Sequence, residues 1–537
     1  MEQLLSQQLE GRTDYRQGNP IPDGAPSRMS RPRRAFPWTL VLAGVVLLGF
    51  ALRLYRLDSQ SAWYDEVFAL SVSRLPFAEM HKALIQDLVH PPLHYYALHE
   101  WFRMFGFGVF QGRFLSALFG SLAIVMIYVL AGYLFDHRAA LLAAVLLAFS
   151  QLAVMYSQEA RPYSQFLFLY LCCAYLLLRA LREKSGLMWF GSLGLACLLI
   201  YTHYYGFLAI ASLLAFMFVQ RKKYSVSRRW LWGGISGLAL AYAPWLSSGV
   251  VSEGLHGEKM QRLNTMARLA PAPVHWFSLA TAINFFNNGR PSGLMASSPS
   301  WTFIAGALLF CLPAALALLP LADRRCKGTD GVKERENLQY LVLLFFVPIA
   351  LALLAGFLYG TYDVKYVAFC SAPYYILVAR GLSLGDSSAS RRVMVFLILA
   401  YSALSLRANY FIPYKEDYRQ ALASVARDYR PSDCAVVAPP WEERQARWAW
   451  SIYEGSQRGP QVIPLNSAAS NTGACERVWL ISVLDRKNPA AVKAAESARQ
   501  QLAQTYFDSE RRQFFWVDLD LFATTRGNFR AEGKVPR

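Results

Sequence analysis

Charge is scarce in this sequence. Asp, Glu, Lys and Arg together make up 17% of its 537 residues, against 55% hydrophobic, and the mean hydropathy is +0.23. A chain of this length with so little charge is unlike a soluble protein and points to a polytopic membrane protein. Cysteine is sparse too: the eight present form no CxxC or zinc-finger spacing. There is no arginine-rich patch with interleaved aromatics. The net charge of +18 therefore does not read as a nucleic-acid partner, and the basic residues sit mostly in short loops between apolar runs. Residues 1–36 are poor in apolar side chains and rich in Gln, Pro, Arg and Ser, so they are expected to form a disordered cytoplasmic N-terminus. Their basic end, "SRPRRAFPW", lacks the form of a cleaved signal peptide and suits an uncleaved anchor.

What the sequence has in plenty is long apolar runs. About eleven approach the length of a bilayer span: roughly 37–57, 112–134, 139–157, 163–181, 187–202, 206–219, 230–248, 301–321, 338–359, 366–383 and 392–408. With the N-terminus inside, the inner loops carry about 17 Lys/Arg in about 50 residues and the outer segments about 9 in about 120, as the positive-inside rule requires. The segment "HPPLHYYALHEWFRMFG" (90–106) carries His94, His99, Glu100 and Arg103, so it is expected to lie in the interface. This gives a transmembrane domain at 37–408 with long outer loops at 58–111 and 249–300. From 409 to 525 the composition turns soluble. A helix over 414–429, strands at "CAVVAPP", "QVIPL", "RVWLISVL" and "QFFWVDLDLFATT", and a helix over 489–506 predict a small outer α/β domain, followed by a tail at 526–537. In an oxidising compartment Cys434 and Cys475 of that domain could pair.

Polar groups gather at the outer ends of the spans. "WYDE" presents Asp65 and Glu66 side by side behind Trp63 and Tyr64. Acids at a helix start are ordinary, but partial desolvation beside the membrane and mutual repulsion are expected to raise a carboxyl pKa and make one of the pair a better proton acceptor. In "HPPLHYY", Pro91 and Pro92 hold His90 extended before a helix; this is a plain helix start or a fixed imidazole suited to a phosphate or a metal. "SQEARPY" puts Glu159, Arg161 and Tyr163 in a tight turn, where arginine is a natural phosphate ligand. Arg53, His203, Tyr204 and Lys365 are further candidates. Snorkelling to headgroups explains Arg53, and His203 and Tyr204 suit the interface.

Taken in order, "RLYRLDSQSAWYDE", "HPPLHYYALHEWFRMFG", "GRFLSALFGSLAIVMIYVLAGYLF" and "SQEARPYSQFL" resemble the GT-C superfamily of membrane glycosyltransferases. They are most similar to the branch of protein mannosyltransferases, aminoarabinose transferases and their bacterial Rgt-like relatives. The resemblance covers residues 38–220 in order and spacing, and the later spans more loosely. It implies a GT-C fold with multiple passes through a bacterial inner membrane, the C-terminal domain periplasmic. It also implies a polyprenyl-phosphate sugar as donor and a glycan, lipid or protein hydroxyl as acceptor. Asp65 matches the position of the general base, with Glu66 assisting or orienting it. Arg161, His90 and, more loosely, Lys365 match phosphate-facing positions. Val89 stands where the aminoarabinose branch carries an acid linked to metal, so the resemblance assigns no metal. A transporter or lipid flippase with an accessory outer domain is the alternative. It would be expected to line a path through the spans with polar groups, whereas here they concentrate at one face.

Overall fold

The computed structural model describes residues 38–224, 227–250, 278–288, 300–322, 328–359, 363–384, 388–455, 459–470, 475–484 and 489–524. The N-terminus 1–36, most of the loop 249–300 and the tail 526–537 lie outside these described residues. Every expected apolar run carries a helix. The first ten helices are α1 (Trp38–Leu54), α2 (Tyr64–Arg74), α3 (Phe77–Asp87), α4 (Leu93–Phe105), α5 (Val109–Leu134), α6 (His137–Phe149), α7 (Gln151–Ser157), α8 (Tyr163–Glu183), α9 (Gly186–Thr202) and α10 (Gly206–Val219). They are followed by α11 (Arg228–Trp245), α12 (Ser278–Asn288), α13 (Ser300–Gly306), α14 (Leu312–Ala322), α15 (Thr329–Tyr359), α16 (Ser371–Leu384) and α17 (Ser388–Phe411).

Among the described residues, six helices are long and apolar enough to cross a membrane, and seven if the bent pair α6–α7 is one span. Helices α1, α9 and α10 are apolar but shorter. Helix α11, over the seventh expected run, is not among them; it opens on Arg228 and Arg229 and contains Pro244. The main apolar core is shared by α5, α8, α10, α15 and α16, through residues such as Ile124, Tyr170, Phe216, Leu341 and Ile376.

The span expected at 139–157 is broken, bending by 57° between α6 and α7. Ser150 is extended there and caps α7 by accepting from the Ala153 amide. The bend frees carbonyls at the end of α6. Arg53 of α1 donates to two of them, Leu147 O and Ala148 O, at 3.3 Å each, and to Ser157 Oγ at 3.1 Å. Arg53 is fully buried. The snorkelling expected of it is therefore corrected: satisfying backbone groups at a broken helix holds this guanidinium inside. Gly120 of α5 makes the close approach feasible, because a Cβ there would lie 2.0 Å from Ser157 Oγ and 2.9 Å from Arg53 Nε.

After α17 come α18 (Tyr418–Asp428), β1 (Asp433–Ala438), α19 (Glu443–Tyr453), β2 (Gln461–Val462), β3 (Arg477–Val483), α20 (Pro489–Ala503), β4 (Phe507–Phe514) and β5 (Val517–Ala523). The sheet order is β2-β1-β3-β5-β4. Strand β1 runs parallel to β2 and β3, and β5 runs antiparallel to β3 and β4. The single strand expected over "QFFWVDLDLFATT" is a hairpin instead, turning at Trp516 with φ 58° between β4 and β5. Helix α19 was not anticipated. Cys434 and Cys475 form a disulfide with a Cα–Cα distance of 5.7 Å. Alternation along β1 sends Cys434 and Val436 toward α20, while Ala435 and Val437 join a second core with Tyr418 of α18, Ala446 of α19 and Val67 and Phe68 of α2. One apolar cluster thus runs from the sheet into the helix that carries Asp65.

Candidate active site

Four short connections meet at the start of α2. That helix begins with both acids in its first turn, where the N-terminal end of the helix dipole favours negative charge. Helix α3 ends on Leu88 in the left-handed conformation, φ 63°, which folds the chain back and brings His90 Nδ1 to 2.6 Å from Asp87 Oδ2. The turn 158–162 is closed by Arg161 N donating to Glu159 O at 2.8 Å, and Pro162 leads into α8. Asp363 caps a 3-10 turn, Val364–Cys370, by accepting from the Lys365 amide.

Arg161 links these pieces. Its Nη2 lies 3.4 Å from Asp65 Oδ2 and 3.0 Å from His90 Nε2. Its Nη1 donates to Asp65 O and to Tyr95 Oη, each at 3.3 Å, and its guanidinium lies 5.8 Å from the Tyr163 ring centroid. The Nε of this buried residue has no hydrogen-bond partner among the described residues. Lys365 Nζ lies 3.5 Å from Asp65 Oδ2 and 3.5 Å from Asp363 Oδ2, with the Trp63 ring centroid 5.4 Å away. Both ion pairs of Asp65 fall on Oδ2, and its side chain is 20% exposed.

This geometry fixes several protonation states. Arginine can only donate, so His90 Nε2 accepts and Nδ1 carries the proton that is donated to Asp87. Burial and the adjacent Arg161 push the His90 pKa down, which keeps the ring neutral. His90 Nε2 is thus turned to Arg161 as an acceptor. Burial works to raise the Asp65 pKa, but Arg161 and Lys365 outweigh it and hold the carboxyl below its ordinary value. The expected upward shift is thus corrected: nearby cations win over desolvation.

Glu66 faces away from this cluster and is fully buried. Arg113 of α5 binds it in bidentate fashion, Nε and Nη2 at 2.8 Å each. Lys415 Nζ donates to its Oε2 at 2.8 Å, and the Ala160 amide donates to its Oε1 at 3.0 Å. The adjacent acids have separate environments. Glu159 turns inward too, with Lys415 Nζ at 3.5 Å; burial raises its pKa although Lys415 opposes this. His203 packs among Tyr163, Phe166, Tyr205 and Tyr366 and accepts from the Tyr205 amide. Burial, then the nearby Arg161 and Lys365, push its pKa to about 3. Tyr204 lines an apolar cavity of ≈ 560 Å³ between α8, α9, α10 and α11. Among the described residues, no group of three or more His, Cys, Asp or Glu is set to hold a metal ion.

Asp87, Tyr95, Arg113 and Lys415 were not anticipated from the sequence. Arg113 carried a signal: it is an ionisable residue at the start of an apolar helix, where isolated charge is costly. Lys415 carried none: the sequence puts it in a helix over 414–429, whereas α18 begins only at Tyr418.

Residues 89–247 match the family model of dolichyl-phosphate-mannose-protein mannosyltransferases. No curated protein matches the sequence. Among solved structures, the apo oligosaccharyltransferase of Archaeoglobus fulgidus aligns over 93% of this chain and 76% of its own, with 13% identity and a TM-score of 0.53. The same protein in complex with Zn and sulfate aligns over 88% and 71%, with 14% identity and a TM-score of 0.50. ArnT from Cupriavidus metallidurans bound to undecaprenyl phosphate covers 91% of this chain and 98% of its own, with 13% identity and a TM-score of 0.43, too low to bear on the fold. The chain thus shares its fold with the archaeal oligosaccharyltransferase, and residues 89–247 are similar to the mannosyltransferase family.

Proposed function

Starting from a multi-pass membrane chain with the GT-C fold, we propose that this protein is a glycosyltransferase using a polyprenyl-phosphate sugar. It moves the sugar to an acceptor hydroxyl at the outer face of a bacterial inner membrane. The observation that carries this reading is the convergence of Arg161 and Lys365, from separate connections, on one oxygen of Asp65. Lys365 also meets Asp363, but that carboxylate is 45% exposed and screened by solvent, so both cations remain able to turn to an anion. The unpartnered Arg161 Nε offers a further donor to a phosphate oxygen. The apolar cavity that Tyr204 lines has a chemistry suited to a lipid chain.

In the proposed reaction the acceptor oxygen attacks the anomeric carbon from the face opposite the phosphate. The new C–O bond forms as the C–O bond to phosphate breaks. Its electron pair leaves with the polyprenyl phosphate, configuration inverts, and the hydroxyl proton passes to Asp65. Arg161 and Lys365 stabilise the charge growing on the leaving phosphate. A carboxyl with a lowered pKa is a weak base, but the attacking oxygen becomes strongly acidic once its bond to carbon has formed, so a late transfer suffices. An arriving phosphate also competes with Asp65 for both cations, which raises the basicity of Asp65 when the donor is bound.

The test compares wild type with Asp65→Asn in membranes supplied with a labelled polyprenyl-phosphate hexose or pentose. We expect transfer to fall about 100-fold or more while the variant remains folded. Near wild-type transfer by Asp65→Asn would sink the base assignment.

A further inference from the structure

The buried cluster behind Asp65 is a balanced quartet drawn from four parts of the chain. Glu66 comes from α2, Arg113 from α5, Glu159 from the turn before α8, and Lys415 from the segment joining α17 to α18. Each is no more than 5% exposed. Glu66 holds both halves of the proposed site: it is the chain neighbour of Asp65, and it accepts from the amide of Ala160, the chain neighbour of Arg161. Lys415 approaches Glu66 Oε2 at 2.8 Å and Glu159 Oε1 at 3.5 Å. Without it, two buried carboxylates would share one arginine, and Glu159 Oε2 already lacks a partner. A buried unpaired charge is strongly unfavourable, so the group takes up a proton or the local structure moves.

Neighbouring contacts tie the segment around Lys415, and α19, to residues 60–62 just before α2. Gln60 Nε2 donates to Asn409 O at 3.1 Å, and the Arg419 amide donates to Ser61 Oγ at 3.2 Å. The Ala62 amide donates to Tyr453 Oη of α19 at 2.6 Å. We infer that Lys415 is a positioning residue for Asp65 and Arg161, and that the C-terminal α/β module is through it a structural part of the active site, not a separable accessory. This rests on the transferase reading for its catalytic consequence, but not for its geometry.

The experiment uses the full chain and compares wild type, Lys415→Met, Lys415→Arg and the charge-balanced pair Lys415→Met/Glu159→Gln. Lys415→Met should lower kcat about 10- to 100-fold with the donor KM within about threefold. Lys415→Arg should stay within about threefold of wild type, and the balanced pair should regain about tenfold over Lys415→Met. Hydrogen exchange at the Ala160 amide should speed up about tenfold or more in Lys415→Met and return to wild type in the balanced pair. Should Lys415→Met fail to accumulate, Lys415→Gln is read in the same way. A Lys415→Met protein with wild-type kcat and exchange overturns the inference, as does a balanced pair no better than the single variant. If the wild type itself transfers no sugar, the transferase reading fails. The exchange measurement then decides the positioning role alone: unchanged protection of Ala160 overturns it.

Discussion

Arg161 donates to the Nε2 of His90 at 3.0 Å, and that single bond dictates the chemistry of the imidazole. The ring must be neutral, with its proton on Nδ1 toward Asp87 at 2.6 Å. The relay Asp87–His90–Arg161–Asp65 therefore aims a guanidinium, much as a carboxylate behind a histidine sets its tautomer.

Removing the far end of the relay should loosen its aim. Asp87→Asn is expected to reduce transfer about tenfold, because the amide no longer compels the Nδ1–H tautomer. His90→Ala should cost as much or more, and the double variant should be no worse than His90→Ala alone. Steady-state rates of the three proteins check this; additive losses would refute a shared path.

Proton-acceptor function in Asp65 should persist well into acid. Its pKa lies below the ordinary 3.8, so the ionised form is present above that value and is lost as pH falls through the lowered folded pKa. The acid limb of the kcat/KM–pH profile, which reports the donor-free enzyme, should accordingly fall below about pH 4. Lys365→Met removes one of the groups that lower this pKa and should shift the limb upward. It should also slow transfer about 100-fold through the loss of phosphate stabilisation.

Arg113 should be irreplaceable by lysine. Besides gripping Glu66, it donates to Leu57 O, Gln60 O and Ser61 O at 2.9 to 3.1 Å, a fork that an ammonium cannot reproduce. Arg113→Lys is expected to destabilise the protein by about 3 kcal/mol, measurable as a lower thermal midpoint in detergent.

Glu416 gives a stability test with a definite sign. Burial, then the neighbouring Glu442 and Asp65, raise its pKa from 4.5 to about 7 in spite of backbone hydrogen bonds. The folded state thus holds the proton more tightly than the unfolded chain. The associated stability is full below 4.5, declines as pH rises toward about 7, and is absent above that. Glu416→Gln should therefore raise the thermal midpoint by about 2–4 °C at pH 8 and leave it nearly unchanged at pH 4. A gain at pH 4 equal to that at pH 8 would contradict the assignment.

Much of this site was legible because it rests on local pattern. The acids of "WYDE", the prolines after His90 and the tight turn around Arg161 are neighbours in sequence, and their positions at the ends of apolar runs put them on one side. The break at Ser150 was not legible, since Ser150 and Gln151 are a lone polar pair inside a long apolar run. That break gives Arg53 its structural role. The partners of Glu66 were hidden for a different reason. Lys415 lies 349 residues from it, and no local spacing encodes such a pair.

The sequence by itself determined the membrane class, the location of the apolar helices and the residues from which a site could be built. Hydrophobic length and periodicity act over tens of residues, and composition reports them directly. Which of two adjacent carboxylates stays partly exposed beside Arg161 and Lys365, which is sealed inside with Arg113 and Lys415, and which proton His90 carries were decided by the tertiary structure. Those outcomes depend on the competition between burial and charges brought from distant parts of the chain, which only folding sets a few ångströms apart.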